Sequence, residues 1–132
     1  MAIVIHHNPD CGTSRNVLAA IRASGTEPVV IEYLRTGWTR PHLLALFAAA
    51  DLTPRTALRS TKSPAAELGL ADPDIPDAAI LDAMLDHPIL VNRPIVCSPR
   101  GTALCRPSRT VIPLLENALP EDFLAEDGAP FA

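Results

Sequence analysis

Two apolar triplets, Ile3-Val4-Ile5 and Val29-Val30-Ile31, flank one helical segment within the first 34 residues. Short continuous apolar runs bounded by turn residues are the mark of parallel strands buried on both faces. The first run ends in the polar turn His7-Asn8-Pro9-Asp10. The segment between the runs carries Val17, Leu18 and Ile21 at helical spacing and closes on Ser24-Gly25, a glycine stop. The second run is read as extending through Tyr33 and Leu34. Strand, helix and strand in this order form a βαβ unit, whose strands are parallel and whose crossover is right-handed in nearly all known cases.

From residue 39 to about 87 the period becomes helical. Thr39 is placed to cap a helix with Pro41 in its first turn and Leu43, Leu44, Phe47 and Ala50 on one side. A short helical stretch is expected over residues 55–59, a turn over 64–68, and a longer helix from Asp77 carrying Ile80, Leu81, Met84 and Leu85. His87-Pro88 ends it. Strand character resumes at Ile89-Leu90-Val91 and again at Ile95-Val96-Cys97, where Ser98-Pro99-Arg100-Gly101 turns the chain into a returning arm, Ala103-Leu104-Cys105. Ser108 is a candidate cap for a last helix with Val111, Ile112 and Leu115, and Pro113 predicts a kink or a later start. After Pro120 an acidic stretch reads as a surface tail.

This order predicts an α/β, thioredoxin-like domain over residues 1–119: a mixed four-stranded sheet, the first two strands parallel and the last two antiparallel, with a helical insertion at about 39–87 between strands two and three, and an acidic tail over 120–132. The length of 132 residues suits one such domain. Pro94, at the start of a strand, is a candidate for a cis peptide bond.

Charge and composition exclude several function classes. Fifteen acidic against eleven basic residues give a net charge of −4, which argues against non-specific nucleic-acid or anionic-lipid binding. Apolar stretches fall short of the ~20 residues of a membrane span, and the first residues lack the pattern of a secretory signal, so the cytoplasm is the expected compartment. Three cysteines, at 11, 97 and 105, form an odd set with no Cys-x-x-Cys pair, and the four histidines do not fall at zinc-ligand spacing. Neither a disulfide framework nor a metal site is expected.

Cys11 stands apart. It lies between the first strand and the first helix, in Asp10-Cys11-Gly12-Thr13-Ser14-Arg15, where unpaired N–H groups and the helix dipole favour both a thiolate and an incoming oxyanion. The helix end contributes ~0.3–1 kcal/mol and at most ~2, and one pKa unit corresponds to about 1.4, so the dipole moves a thiol by a unit or so. Cations must supply the rest. Arg93, before Pro94, and Arg106, after the fourth strand, are placed at sheet ends by the topology, whereas spacing does not place Arg59.

His7-Asn8-Pro9, Cys11-Gly12-Thr13-Ser14-Arg15-Asn16, Ser24-Gly25-Thr26-Glu27-Pro28, His87-Pro88-Ile89-Leu90-Val91-Asn92-Arg93-Pro94-Ile95-Val96 and Leu104-Cys105-Arg106-Pro107-Ser108 together resemble the glutathione- and glutaredoxin-coupled arsenate reductases. The resemblance runs from about residue 3 to 117. It implies that Cys11 is the nucleophile, that Arg59, Arg93 and Arg106 surround the oxyanion, that Ser14 and the backbone of Gly12 and Thr13 bind its oxygens, and that His7 tunes the thiol. It further implies arsenate as substrate, glutathione as co-substrate, glutaredoxin as partner and no bound cofactor. Cys97 and Cys105 match no resolving thiol and are read as core-facing strand positions. Two other readings stay open: a general thiol oxidoreductase on the same scaffold, and a polymerase-binding redox regulator, whose relatives carry Cys-x-x-Cys where this chain has Ser14.

Overall fold

A computed structural model describes residues 2–131. The chain forms two compact units, one built from the residues up to Glu32 and from Arg93 onward, the other from Tyr33–Asn92.

The first unit holds a sheet of β1 (Val4–His6), β2 (Val29–Ile31), β3 (Ile95–Ser98) and β4 (Gly101–Leu104) in the order β2-β1-β3-β4. β1 runs parallel to β2, with Val4 opposite Val29, and antiparallel to β3, which in turn pairs antiparallel with β4. The mixed sheet matches the expected one. The crossover from β1 to β2 is α1 (Gly12–Ala23). Its end is a Schellman motif, in which the Thr26 N–H donates to the Ile21 carbonyl and the Gly25 N–H to that of Arg22, with Gly25 at φ +97°, a conformation that glycine adopts without strain. Val17, Ala20 and Ile21 on α1 pack with Ile3 and Ile5 of the first apolar run, Val96 of β3, Cys105 and Val111 into one buried cluster.

Two expectations in this unit give way. The last helix is not α-helical: Ser108–Leu114 winds as a 3₁₀ segment, with Pro107 rather than Ser108 at its cap position. Pro113 lacks the N–H that an α-helix begun at Arg109 would bond back to that residue's carbonyl, so tighter turns replace it. Residues 120–131 are also more than a surface tail. The Ala125 N–H donates to the Ala129 carbonyl, Leu124 bridges Pro130, and Phe131 enters the core edge-on to Phe123 at 5.2 Å between ring centroids. Two aromatic side chains among the acidic ones supply the apolar area that holds the segment down.

The second unit contains α2 (Tyr33–Thr36), α3 (Arg40–Ala49) and α4 (Asp77–Asp86). Thr39 caps α3 as expected, its hydroxyl accepting from the His42 N–H at 3.3 Å. Leu43, Leu46 and Phe47 are buried, but Leu44 points outward. Ile80, Leu81 and Met84 of α4 are buried. Tyr33 and Leu34 open α2 instead of extending β2, because the Tyr33 ring is drawn in, stacking on Trp38 at 5.0 Å and donating its hydroxyl to the Val91 carbonyl. Residues 54–57 form turns rather than a helix, locked by reciprocal Thr53–Thr56 bonds. Ile89-Leu90-Val91 is no strand: Pro88–Leu90 is a 3₁₀ turn, and only Val91 makes a single antiparallel bridge, to Leu58. The proline fixes φ at the start of that run and favours the turn.

Candidate active site

The end of the sheet explains why distant residues meet. His6, the last residue of β1, pairs with Ile95, the first of β3, and Ile95 pairs with Leu104, the last of β4. The loop after β1, the residue pair before β3 and the residues after β4 therefore leave the sheet side by side. Cys11 lies in the first, Arg93 in the second and Arg106 in the third. The Arg93–Pro94 and Arg106–Pro107 peptide bonds are both cis.

The loop that carries Cys11 is held from within. Asn8 is buried; its side-chain oxygen accepts from the Asp10 N–H at 2.9 Å, and its carbonyl accepts from the Cys11 N–H at 3.1 Å. Cys11 is the N-cap residue of α1 in extended conformation, and its sulfur faces the Ser14 amide without closing a full capping bond. Arg106 Nη1 donates to the sulfur at 3.6 Å and to the Arg93 carbonyl at 3.2 Å. Burial is the largest influence on the thiol and pushes its pKa up. The Ser14 amide, the Arg93 charge, and the hydrogen bond and charge of Arg106 together outweigh burial and leave Cys11 below its ordinary value. The other two cysteines move the opposite way. Burial raises Cys97, which is only half-buried, and pushes the fully buried Cys105 up to about 12. All three are free of disulfides.

His7 and Ser14 are joined, with His7 Nδ1 2.6 Å from the Ser14 hydroxyl, which also accepts from the Asn8 N–H at 3.1 Å. Burial is the main reason that the His7 pKa is lowered. Arg22 and Arg15 add to this and Glu32 opposes it, so His7 is neutral at neutral pH. Ser14 is wholly buried, and its hydroxyl is spent on the loop. Its contribution toward the sulfur is the backbone amide. Gly12 and Thr13 are half-buried on the first turn of α1, where their amides belong to the unpaired set of a helix start.

Arg59 belongs to the second unit. It is buried, its N–H donates to the Leu90 carbonyl at 2.7 Å, and its Nε donates to the Thr61 carbonyl at 3.1 Å. Within the first unit, the residues brought together in the loop of Cys11 and around its sulfur are His7, Asn8, Ser14, Arg93 and Arg106. Sequence reasoning did not single out Asn8 or Arg15. Asn8 could have been found as an Asx turn, since Asn-Pro-Asp is strong turn chemistry. Arg15 extends from α1 to the Pro9 carbonyl, with Nη1 at 2.8 Å, and to Glu126 near the other end of the chain.

A cavity of about 510 Å³ near the C-terminal end, lined by residues such as Ile112, Leu119, Phe123 and Phe131, contains none of these side chains. Among the described residues no group of three or more His, Cys, Asp or Glu is arranged to hold a metal ion, and no helix is long and apolar enough to cross a membrane.

Known proteins are similar to this chain over most of its length. The chain is 65% identical over 126 residues to arsenate reductase ArsI2 of Synechocystis sp., covering 96% of this chain and 90% of the relative. It is 52% identical to an arsenate reductase of Escherichia coli, covering 96% and 89%. The structure of an arsenate reductase from Vibrio cholerae superposes with a TM-score of 0.81 at 36% identity, covering 87% of this chain and 98% of that one. The profile of the ArsC family matches residues 6–112, a span that holds Cys11 and every arginine considered above. A single thiol at the start of α1, arginines delivered by the ends of β3 and β4, and relatedness along nearly the whole chain all point the same way: this chain belongs to the ArsC family.

Proposed function

We propose that the protein is an arsenate reductase that takes its electrons from glutathione and glutaredoxin. The observation that carries this reading is the convergence of Arg93 and Arg106 on the Cys11 thiol at a helix start, since a thiolate and an oxyanion repel each other unless cations sit between them. In the first step the Cys11 thiolate attacks arsenic of arsenate and an oxygen leaves as water, giving a thioarsenate adduct held by Arg93 and Arg106. Arg59 is proposed as the third cation. The amides of Gly12, Thr13 and Ser14 supply donors to the oxygens and the sulfur.

Reduction then needs a second thiol. Glutathione attacks the Cys11 sulfur, a sulfur–sulfur bond forms, and the arsenic–sulfur electron pair stays on arsenic, which leaves as arsenite. A glutaredoxin thiol attacks the glutathione sulfur of the mixed disulfide and returns Cys11 as thiolate. Arsenate shares the charge and tetrahedral shape of phosphate, so selectivity rests on thiol attack being easier at arsenic than at phosphorus. This chemistry suits a reducing compartment, and the cytoplasm is proposed as its place of action.

The test is arsenate reduction by the purified protein with glutathione and glutaredoxin, each omitted in turn, beside a Cys11→Ser variant. Turnover that needs both thiol sources and disappears with Cys11 is expected. Full turnover by the variant would remove Cys11 from the chemistry. Reduction of a glutathione mixed disulfide with no arsenate turnover would make the protein a general thiol oxidoreductase.

A further inference from the structure

The feature that the proposed reaction leaves unused is an ion pair beside the nucleophile. Arg15 follows Cys11 by one helical turn, its N–H bonded to the Cys11 carbonyl at 3.0 Å. Its guanidinium holds both oxygens of Glu126 in a fork, Nε to Oε2 at 3.0 Å and Nη2 to Oε1 at 2.8 Å, while Nη1 holds the Pro9 carbonyl on the other side of Cys11. Glu126 is itself fixed, since its N–H donates to the Asn16 side chain at 2.9 Å and the segment around it is closed by the Leu124–Pro130 bridge and by buried Phe131. The pair roofs the first turn of α1: a Cβ on Gly12 would lie 3.2 Å from Glu126 Oε1 and 3.5 Å from Arg15 Nη2.

We propose that Glu126 is a positioning residue for the reactive thiol: clamped on Arg15, its carboxylate offsets a cation that would otherwise act on Cys11, and so sets how readily the thiol ionises. Within the first unit, the charged and titratable groups around Cys11 are then Asp10 and His7 from the loop after β1, Arg15 from α1, Arg93 before β3, Arg106 after β4 and Glu126 from the C-terminal segment. The Arg15 charge is coupled to those of Glu126, Cys11 and Asp10. Bidentate geometry holds the guanidinium in one place, which a lone exposed arginine would not keep. The inference rests on Cys11 being the reacting thiol, but not on arsenate being the substrate.

A clamp that merely fastens the C-terminal segment and a pair that tunes charge make opposite predictions. Losing either partner breaks a clamp in the same way, whereas for charge the partners have opposite signs. The experiment measures the rate of Cys11 alkylation by iodoacetamide against pH, resolved by peptide mass spectrometry, at low salt. Glu126→Gln leaves Arg15 uncompensated and should lower the midpoint by a few tenths of a pH unit to about one unit. Arg15→Gln leaves Glu126 uncompensated and should raise it by a similar amount, and the double variant should return close to the parent. At about 1 M salt, where the screening length is roughly 3 Å, the differences should shrink. Shifts of the same sign in both single variants, or no shift in either at low salt, would overturn the proposal. Failure of arsenate turnover would leave this measurement readable, because alkylation needs only the thiol.

Discussion

Arg106 uses one nitrogen for two contacts, the Cys11 sulfur at 3.6 Å and the Arg93 carbonyl at 3.2 Å. The carbonyl fixes where the guanidinium stands, and its remaining N–H groups stay available for an oxyanion on the sulfur. A lysine would keep the charge but lose the planar fork that reaches carbonyl, sulfur and substrate together. Arg106→Lys is therefore expected to lower kcat/KM for arsenate by roughly ten- to a hundredfold, short of the ~10²–10³ lost when a preorganised donor is removed outright. Steady-state kinetics with glutathione and glutaredoxin saturating decide the matter, and parental turnover would take Arg106 out of the site.

At the scale of elements, the loop from β1 into α1 is held by a buried histidine. His7 lies below its ordinary value of 6.5 chiefly through burial, so the unfolded chain takes up a proton there before the folded one does. Stability from the neutral histidine is complete above pH 6.5 and is lost as pH falls from there through the folded pKa. Wild-type protein should lose more Tm between pH 7.5 and 5.5 than a His7→Asn variant, measured by thermal unfolding at matched salt. Equal losses would assign the acid sensitivity to other groups. Most of this element pattern was legible in the chain. The apolar triplets and the glycine stop set β1, α1 and β2, and the proline-flanked arginines at sheet ends set two sides of the site. What escaped depended on tertiary partners. Tyr33 turns into α2 because Trp38 and the Val91 carbonyl await its ring and hydroxyl, and Ser14 turns inward because His7 does. Arg15 and Glu126 are separated by 111 positions, and no period in the sequence links them.

For the molecule as a whole, the decisive property is that only one of its three thiols lies beside arginines and has its pKa lowered, while burial raises the other two. A disulfide needs Cα atoms within ~7 Å. Cys97 stands opposite Val4, two rows of the ladder back from the His6–Ile95 pair at which the site begins, and each row adds ~3.3 Å. Cys105 follows β4 much nearer the site, yet it is fully buried among apolar side chains, its sulfur directed to the Ala103 carbonyl at 3.7 Å and its pKa pushed up to about 12. Its thiolate is negligible at neutral pH, and the thiolate is the attacking form. A chain that finished the reduction internally would need one of these two sulfurs at Cys11. The double variant Cys97→Ser, Cys105→Ser should therefore keep at least about half of the parental turnover with glutathione and glutaredoxin, although a hydroxyl at position 105 costs on the order of 1 kcal/mol of stability. Intact mass during turnover should show a single glutathione adduct, at Cys11, in both proteins. A folded double variant that stalls at the first adduct would reveal an internal resolving thiol and with it a reaction that does not depend on outside thiols.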